Sequence, residues 1–404
     1  MRQLLVNKRP ILPDIARWVE QSPGDMGLVT ARSSVTQQSD LDAAVRSCLF
    51  VDVVDDYMVP AVDELIVERC RQHGIEGLMS LAESDVERCA RIREQLDLPG
   101  QLLQSAEAYR DKYVMKTLAA AAGIPVPPMA ALSDAEELAH FLSVARYPLV
   151  LKPRRGGASI GIVMARDPAA FEAHRSRLAA CEQTGNYQVE CFTAGRTYHV
   201  DGLMRDGLVE HAWPSLFLHT QWQTMYRSLP LLSGMLGPND KGADPLREAT
   251  ERTVAALPSA PFLLPFHAEF FMDDENRPIL CEIACRAGGA GHDEVYTRSF
   301  GVGMNEAMIS ERLGRTVRPA DRPAVRHGCA WFPPRQGRLL GFPRICPLRG
   351  AVRYRAKAVP GTGFHRPASV SDSIAELIFA LDDGELVSQL EEINGWWTAN
   401  CCHE

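Results

Sequence analysis

HAEFFMDDENRPILCEIACR, residues 267–286, consists of two apolar runs joined by a polar turn. In the first run, strand alternation puts His267, Glu269 and Phe271 on one face. The turn Asp273-Asp274-Glu275-Asn276-Arg277 sends the chain back through Ile279-Leu280-Cys281-Glu282-Ile283. Two strands, 267–272 and 278–284, are therefore expected to pair, each carrying one carboxylate among apolar neighbours. Burying Glu269 and Glu282 side by side is costly without a cation. Oxygen ligands favour Mg2+ over zinc there. The plainer reading, two exposed glutamates on an edge hairpin, fits the apolar flanks less well. Arg286 lies four residues past Glu282 and opens onto Ala287-Gly288-Gly289-Ala290-Gly291-His292. An arginine beside a metal carboxylate suits a transferring phosphoryl group or an anionic intermediate. It could equally serve Glu282 as a structural counter-ion.

Upstream, residues 152–161 read KPRRGGASIG. A strand ending in Lys152 runs into a loop holding Gly156, Gly157, Ser159 and Gly161. Glycines let backbone N–H groups approach an anion, and the lysine adds a point charge for phosphate. An ordinary glycine-rich hairpin reads the same way, because short glycine patterns are unspecific. The stretch is not a Walker A loop, since the lysine precedes the glycines.

Around these motifs, short apolar runs at 4–6, 27–30, 48–54 and 77–81 alternate with helical patterns at 59–73 and 84–96. That alternation implies a small, mainly parallel α/β unit. A helix over 105–122 should stop at Gly123. Strands follow at 149–152, 162–165, 187–192, 197–204 and 208–213, with Arg205-Asp206-Gly207 as a hairpin turn. Residues 214–244 read as a long irregular loop, rich in Gly, Pro, Ser and aromatics. A helix over 245–257 leads into the 267–286 hairpin. The expected division is an N-terminal α/β domain at 1–104, a central domain at 105–310 with a lid over about 115–195, and a mixed C-terminal subdomain at 311–404.

The 404 residues suit two or three packed subdomains rather than one core. With 46% hydrophobic and 23% charged residues, the composition is that of a soluble globular protein. A formal net charge of -8 argues against a general nucleic-acid binder. Eleven scattered cysteines with no C-x-x-C pair give no zinc ribbon, and fit reduced thiols in a cytoplasmic setting. Neither a signal peptide nor an apolar run long enough to span a bilayer is present, so no membrane partner is expected.

The order of these motifs resembles the ATP-grasp superfamily over about residues 80–310. It is carried by Arg110-Asp111-Lys112-Tyr113, Ala122 to Pro127, Leu151-Lys152-Pro153 with its glycine loop, Val189-Glu190-Cys191-Phe192, Tyr198 to Gly202, and then Glu269, Glu282 and Arg286. The YHVDGL and H-x-E-x-F…CE-x-A-x-R patterns look like the carboxylate–amine ligases that make dipeptides or aminoacyl amides. The resemblance implies ATP and Mg2+ as cofactors, with Lys112 and Lys152 on the phosphates and Gly156 to Gly161 closing over them. It implies a hinge at Glu190, Cys191 and Phe192 that reads adenine, Glu269 and Glu282 on the metal, and Arg286 stabilising an acyl-phosphate. Two departures stand out. Thr197 occupies the usual place of a ribose-binding glutamate, with His199 a partial replacement on the same strand face. Ala284 occupies the usual place of an asparagine metal ligand, so water or another side chain must complete the shell. Amino acids are the implied substrates, with a carrier-bound acceptor left open and a homodimer suggested by the family. A biotin-carboxylase-like subunit and a non-catalytic nucleotide-binding regulator are the alternative readings.

Overall fold

The computed structural model describes residues 1–367 and 372–404. Its N-terminal unit is a four-stranded parallel sheet in the order Val51–Val54, Met26–Ala31, Gln3–Asn7, Gly77–Ser80. Successive residues of the strand Gln3–Asn7 feed opposite cores. Leu4 and Val6 pack with Val62, Ile66 and Ile92, while Leu5 packs with Leu12, Ile15 and Ile309. Burial on both faces explains why this strand reads as an uninterrupted apolar run. Helix Pro60–His73 ends on Gly74, whose φ of 60° lies in the left-handed region that glycine enters at low cost.

A second, four-stranded antiparallel sheet orders Met129–Ala131, Tyr187–Cys191, Leu149–Pro153 and Val163–Ala165. Helices Ala135–Val144 and Pro168–Ala180 contribute Leu138, Phe141 and Phe171 to its separate small core. The largest sheet has eight strands in the order Pro278–Ala284, Leu264–Met272, Arg196–Arg205, Leu208–Phe217, Leu231–Met235, His327–Phe332, Ala375–Ala380, Ala351–Ala356. Strands from the last quarter of the chain thus extend the sheet that carries residues 196–284. Among the described residues, no helix is long and apolar enough to cross a membrane.

The structure differs from the sequence reading in two places. The helix expected over 105–122 is two helices, Leu103–Ala108 and Lys112–Ala121. The second starts at Asp111, whose carboxylate accepts from the backbone N–H groups of Tyr113 and Val114 and so caps a new N-terminus. The irregular loop expected over 214–244 is also corrected. It contains the end of strand Leu208–Phe217, helix Gln221–Arg227 and strand Leu231–Met235. Thr220 and Gln223 form a reciprocal capping box that stabilises this seven-residue helix.

Candidate active site

The strand pair Leu264–Met272 and Pro278–Ala284 sets Glu269 directly opposite Glu282, and His267 opposite Ala284. On its other side Glu269 faces His199, and His267 faces Asp201. A polar patch thereby forms on an otherwise apolar sheet. Glu269 is 5% exposed, and its Oε1 accepts from Gln221 and, at 3.1 Å, from His267 Nε2. Glu282 is held at 2.8 Å by Lys112 Nζ. Burial would raise the Glu282 carboxyl, but Lys112 holds it below its ordinary value. The lysine ammonium therefore stands where a cation is needed between backbone and carboxylate. Two facing carboxylates, one buried and one cation-paired, fit a hard divalent ion with oxygen ligands.

Lys112 is delivered by the cap that begins its helix. Asp111 also accepts from Arg154 Nε at 3.0 Å, and the Lys112 N–H donates to the Arg154 carbonyl at 2.9 Å. These bonds tie the helix start to the loop after Lys152, and Lys112 Nζ donates to the Gly156 carbonyl at 2.5 Å. Ala158, Ser159 and Gly161 in that loop have φ of 53°, 57° and 77°. Gly157 lies beside Glu83, since a Cβ there would stand 3.4 Å from Glu83 Oε2.

Glu83 is the residue that gathers the site. Its carboxylate accepts from Arg110 and, through Oε2, from Arg286 Nη2 at 2.6 Å. Burial would raise its pKa, but Arg286, Arg110 and Lys112 hold it down to about 2. The Arg286 Nη1 also donates to the Ala287 carbonyl at 3.1 Å. Arg286 is thus fixed by a carboxylate from the N-terminal unit and not by Glu282. Nothing in the local sequence marks Glu83, because its partners come from positions 110 and 286.

Around Glu190 the structure builds a buried ion triad. Glu190 is bonded to Lys116 at 2.5 Å and to Lys152 at 2.9 Å. Burial would raise Glu190, and the two lysines outweigh it and keep the carboxylate ionised. Sequence reading missed Lys116, although it lies one helical turn beyond Lys112 and so projects from the same face. Lys116→Met is expected to destabilise the fold by about 3 kcal/mol, because it leaves Glu190 short of one buried partner. Thermal unfolding of the variant measures this; an unchanged midpoint would mean that Lys152 and the Gln188 amide together satisfy the carboxylate. Beside the triad, Cys191 is half-buried and Phe192 is 48% exposed, giving an uncovered aromatic face.

Thr197 is buried, and its Oγ1 has no hydrogen-bond partner. His199, the expected partial replacement on the same strand face, lies within a hydrogen-bonded network. His199 is 1% exposed, with Nδ1 bonded to Asp201 Oδ2 at 2.7 Å and Nε2 to Ser233 Oγ at 2.5 Å, so neither nitrogen is free. Asp201 Oδ1 takes His267 Nδ1 at 2.9 Å. His292 stacks on His267 with ring centroids 5.2 Å apart. Gly288 crosses above both rings, where a Cβ would lie 2.7 Å from His292 Nδ1 and 2.9 Å from His267 Nδ1. Only glycine lets the loop after Arg286 pass this close. The nearby thiols Cys281 and Cys285 are pushed up by burial to about 12 and about 11, which leaves them protonated and poor nucleophiles.

Residues 26–100 match the ATP-grasp N-terminal domain model. An L-arginine-specific L-amino acid ligase of Bacillus subtilis is 22% identical over 361 residues, covering 84% of this chain and 84% of the relative. A D-alanine–D-alanine ligase of Gloeobacter violaceus is 28% identical over 232 residues, covering 55% of this chain and 74% of that one. The crystal structure of an L-amino acid ligase from Bacillus licheniformis superposes with a TM-score of 0.75 at 16% identity, over 100% of this chain and 99% of that one.

Proposed function

We propose that this chain, which has the ATP-grasp fold, is an ADP-forming ligase that joins the carboxylate of one amino acid to the amine of another. The observation that carries this reading is the gathering of Glu269, Glu282, Lys112 and Arg286 about one strand pair, with Glu282 on Lys112 and Arg286 on Glu83. Their arrangement suits phosphoryl transfer to a carboxylate, which needs positioning and charge neutralisation more than a covalent nucleophile. The amino-acid ligases among its relatives support amino acids as the substrate class.

Lys112 and Lys152 would hold the polyphosphate, under the loop from Gly156 to Gly161 that includes Gly157 and Ser159. The backbone at Glu190 and Cys191 and the exposed ring of Phe192 would take the adenine. The unpartnered Thr197 hydroxyl would be available to a ribose oxygen. Glu269 and Glu282 would hold Mg2+, which when bound supplies charge neutralisation at the β- and γ-phosphates. A substrate carboxylate oxygen then attacks the γ-phosphorus and ADP leaves, giving an acyl-phosphate. The amine attacks the acyl carbon, phosphate departs, and the amine loses one proton. Arg286, held by Glu83, would face the oxygens on which negative charge shifts in both steps.

The test is ADP release across a matrix of amino-acid pairs, with mass spectrometry of the products. One or more pairs should give a product lighter than its two components by one water, with one ADP per bond. ATP turnover that responds to bicarbonate and to no amino acid would overturn the reading, as would tight ATP binding with no turnover on any pair.

A further inference from the structure

Next to Glu269, two strands of the large sheet carry a polar cluster that the proposed chemistry leaves unused. His199 and Asp201 stand two residues apart on Arg196–Arg205, and the register sets His267 of Leu264–Met272 opposite Asp201. One nitrogen from each histidine and one oxygen of Asp201 lie within 4.8 Å of one another. His199 Nδ1 is 2.7 Å from Asp201 Oδ2, and His267 Nδ1 is 2.9 Å from Asp201 Oδ1. The three residues are at most 6% exposed. His292 is equally buried, with its ring centroid 4.4 Å from that of His199. Among the described residues, neither ring nitrogen of His292 has a hydrogen-bond partner. A buried polar group left unpaired is costly and points to a partner of another kind.

We propose that His199, Asp201 and His267 hold a structural Zn2+ ion, through the two Nδ1 atoms and an oxygen of Asp201. The site stands whether or not the chain is a ligase. Imidazole and carboxylate bind zinc at about 2.0–2.2 Å, which puts neighbouring tetrahedral ligands about 3.4 Å apart. The contacts of 2.7 and 2.9 Å and the outer limit of 4.8 Å bracket that spacing. Both second nitrogens already face acceptors, His199 Nε2 at 2.5 Å from Ser233 Oγ and His267 Nε2 at 3.1 Å from Glu269 Oε1. Metal-binding histidines commonly give their other N–H to such groups, which fixes tautomer and ring orientation. A small cavity bounded in part by His199, Asp201, Ser233 and His292 has room for about one water. A zinc-bound water there completes a tetrahedral shell and gives His292 a donor.

On binding, each Nδ1 gives up any proton it directs at Asp201 and each ring keeps one on Nε2. Surplus protons leave to solvent. Uptake accompanies folding, because the ligands are buried within the finished sheet. Through His267 the ion also fixes Glu269, the carboxylate to which that ring donates.

The full chain, produced in zinc-supplemented medium, purified without nucleotide and desalted in excess Mg2+, provides the test. Elemental analysis should find about one zinc per chain. X-ray absorption at the zinc edge should show imidazole and light oxygen ligands and no sulfur. Asp201→Asn should weaken zinc binding at least about 100-fold in competition with a chelator. Protein that retains no zinc would overturn the proposal. So would a shell with sulfur, which moves the ion to cysteines, or one of oxygen alone, which moves it to Glu269 and Glu282. Unchanged zinc affinity in Asp201→Asn would overturn it as well. The absorption spectrum comes from the unsubstituted chain, so it decides even if the variant does not fold. Neither ATP turnover nor an identified amino acid enters these measurements, so their failure is separate from failure of the ligase reading.

Discussion

Arg286→Ala should lower kcat by about 10²- to 10³-fold with only a modest change in the KM for ATP. The guanidinium is fixed before substrate arrives, by Glu83 Oε2 at 2.6 Å and by the Ala287 carbonyl at 3.1 Å. Charge on the γ-phosphate and carboxylate oxygens redistributes in the transition state, so a fixed donor there is worth more than in the ground state. ATP itself would be held mainly by Lys112 and Lys152, which the substitution leaves in place. Steady-state kinetics on the best amino-acid pair, with a melting curve for the variant, make the measurement. Near wild-type turnover by a folded variant would reduce Arg286 to an anchor for Glu83. Arg286→Lys should recover little, because an ammonium cannot reproduce the planar fork that meets Glu83 and a reacting oxygen together.

Glu269→Gln is the second large expectation, a fall in turnover of at least about 10²-fold with a raised Mg2+ requirement. The substitution preserves shape and removes one charge from the pair that faces across the two strands. Gln221 and His267 both direct donors at Glu269 Oε1, so a neutral amide there would meet two donors with a weaker acceptor. The effect should appear in the Mg2+ dependence of ADP release at saturating ATP. A variant with unchanged Mg2+ half-saturation and rate would place the metal elsewhere. Glu282→Gln is the informative comparison, because it also releases Lys112 from its 2.8 Å ion pair.

Much of this site was legible because its signals are local. The H-x-E alternation and the return through Glu282 put both carboxylates on one face by strand geometry alone. What escaped depends on contacts distant in sequence. Glu83 meets Arg110 and Arg286 across 27 and 203 positions, and Lys116 meets Glu190 across 74. No pattern within a segment carries such pairings. The bond from His199 to Ser233 escaped for the same reason, because Ser233 lies in a stretch that reads as loop. That stretch hid a short helix and a five-residue strand, which hold too few residues for a period to emerge. The break before Lys112 was more accessible, because an aspartate just ahead of a helical run is a capping signal.

The eight-stranded sheet has a consequence for how this chain can be divided. Strand Leu231–Met235 bonds on one side to Leu208–Phe217 and on the other to His327–Phe332, which in turn pairs with Ala375–Ala380. Helix Leu386–Asn400 packs over the same region, and Gly234 lies so close to it that a Cβ would stand 2.5 Å from Leu386. The last eighty residues are therefore not a detachable appendage. Cutting the chain ahead of His327 would bare a five-residue apolar strand edge, a template for intermolecular pairing, and strip the cover from the floor beneath Ser233 and His199. Gene fusions, truncations and domain exchanges would have to keep this sheet whole.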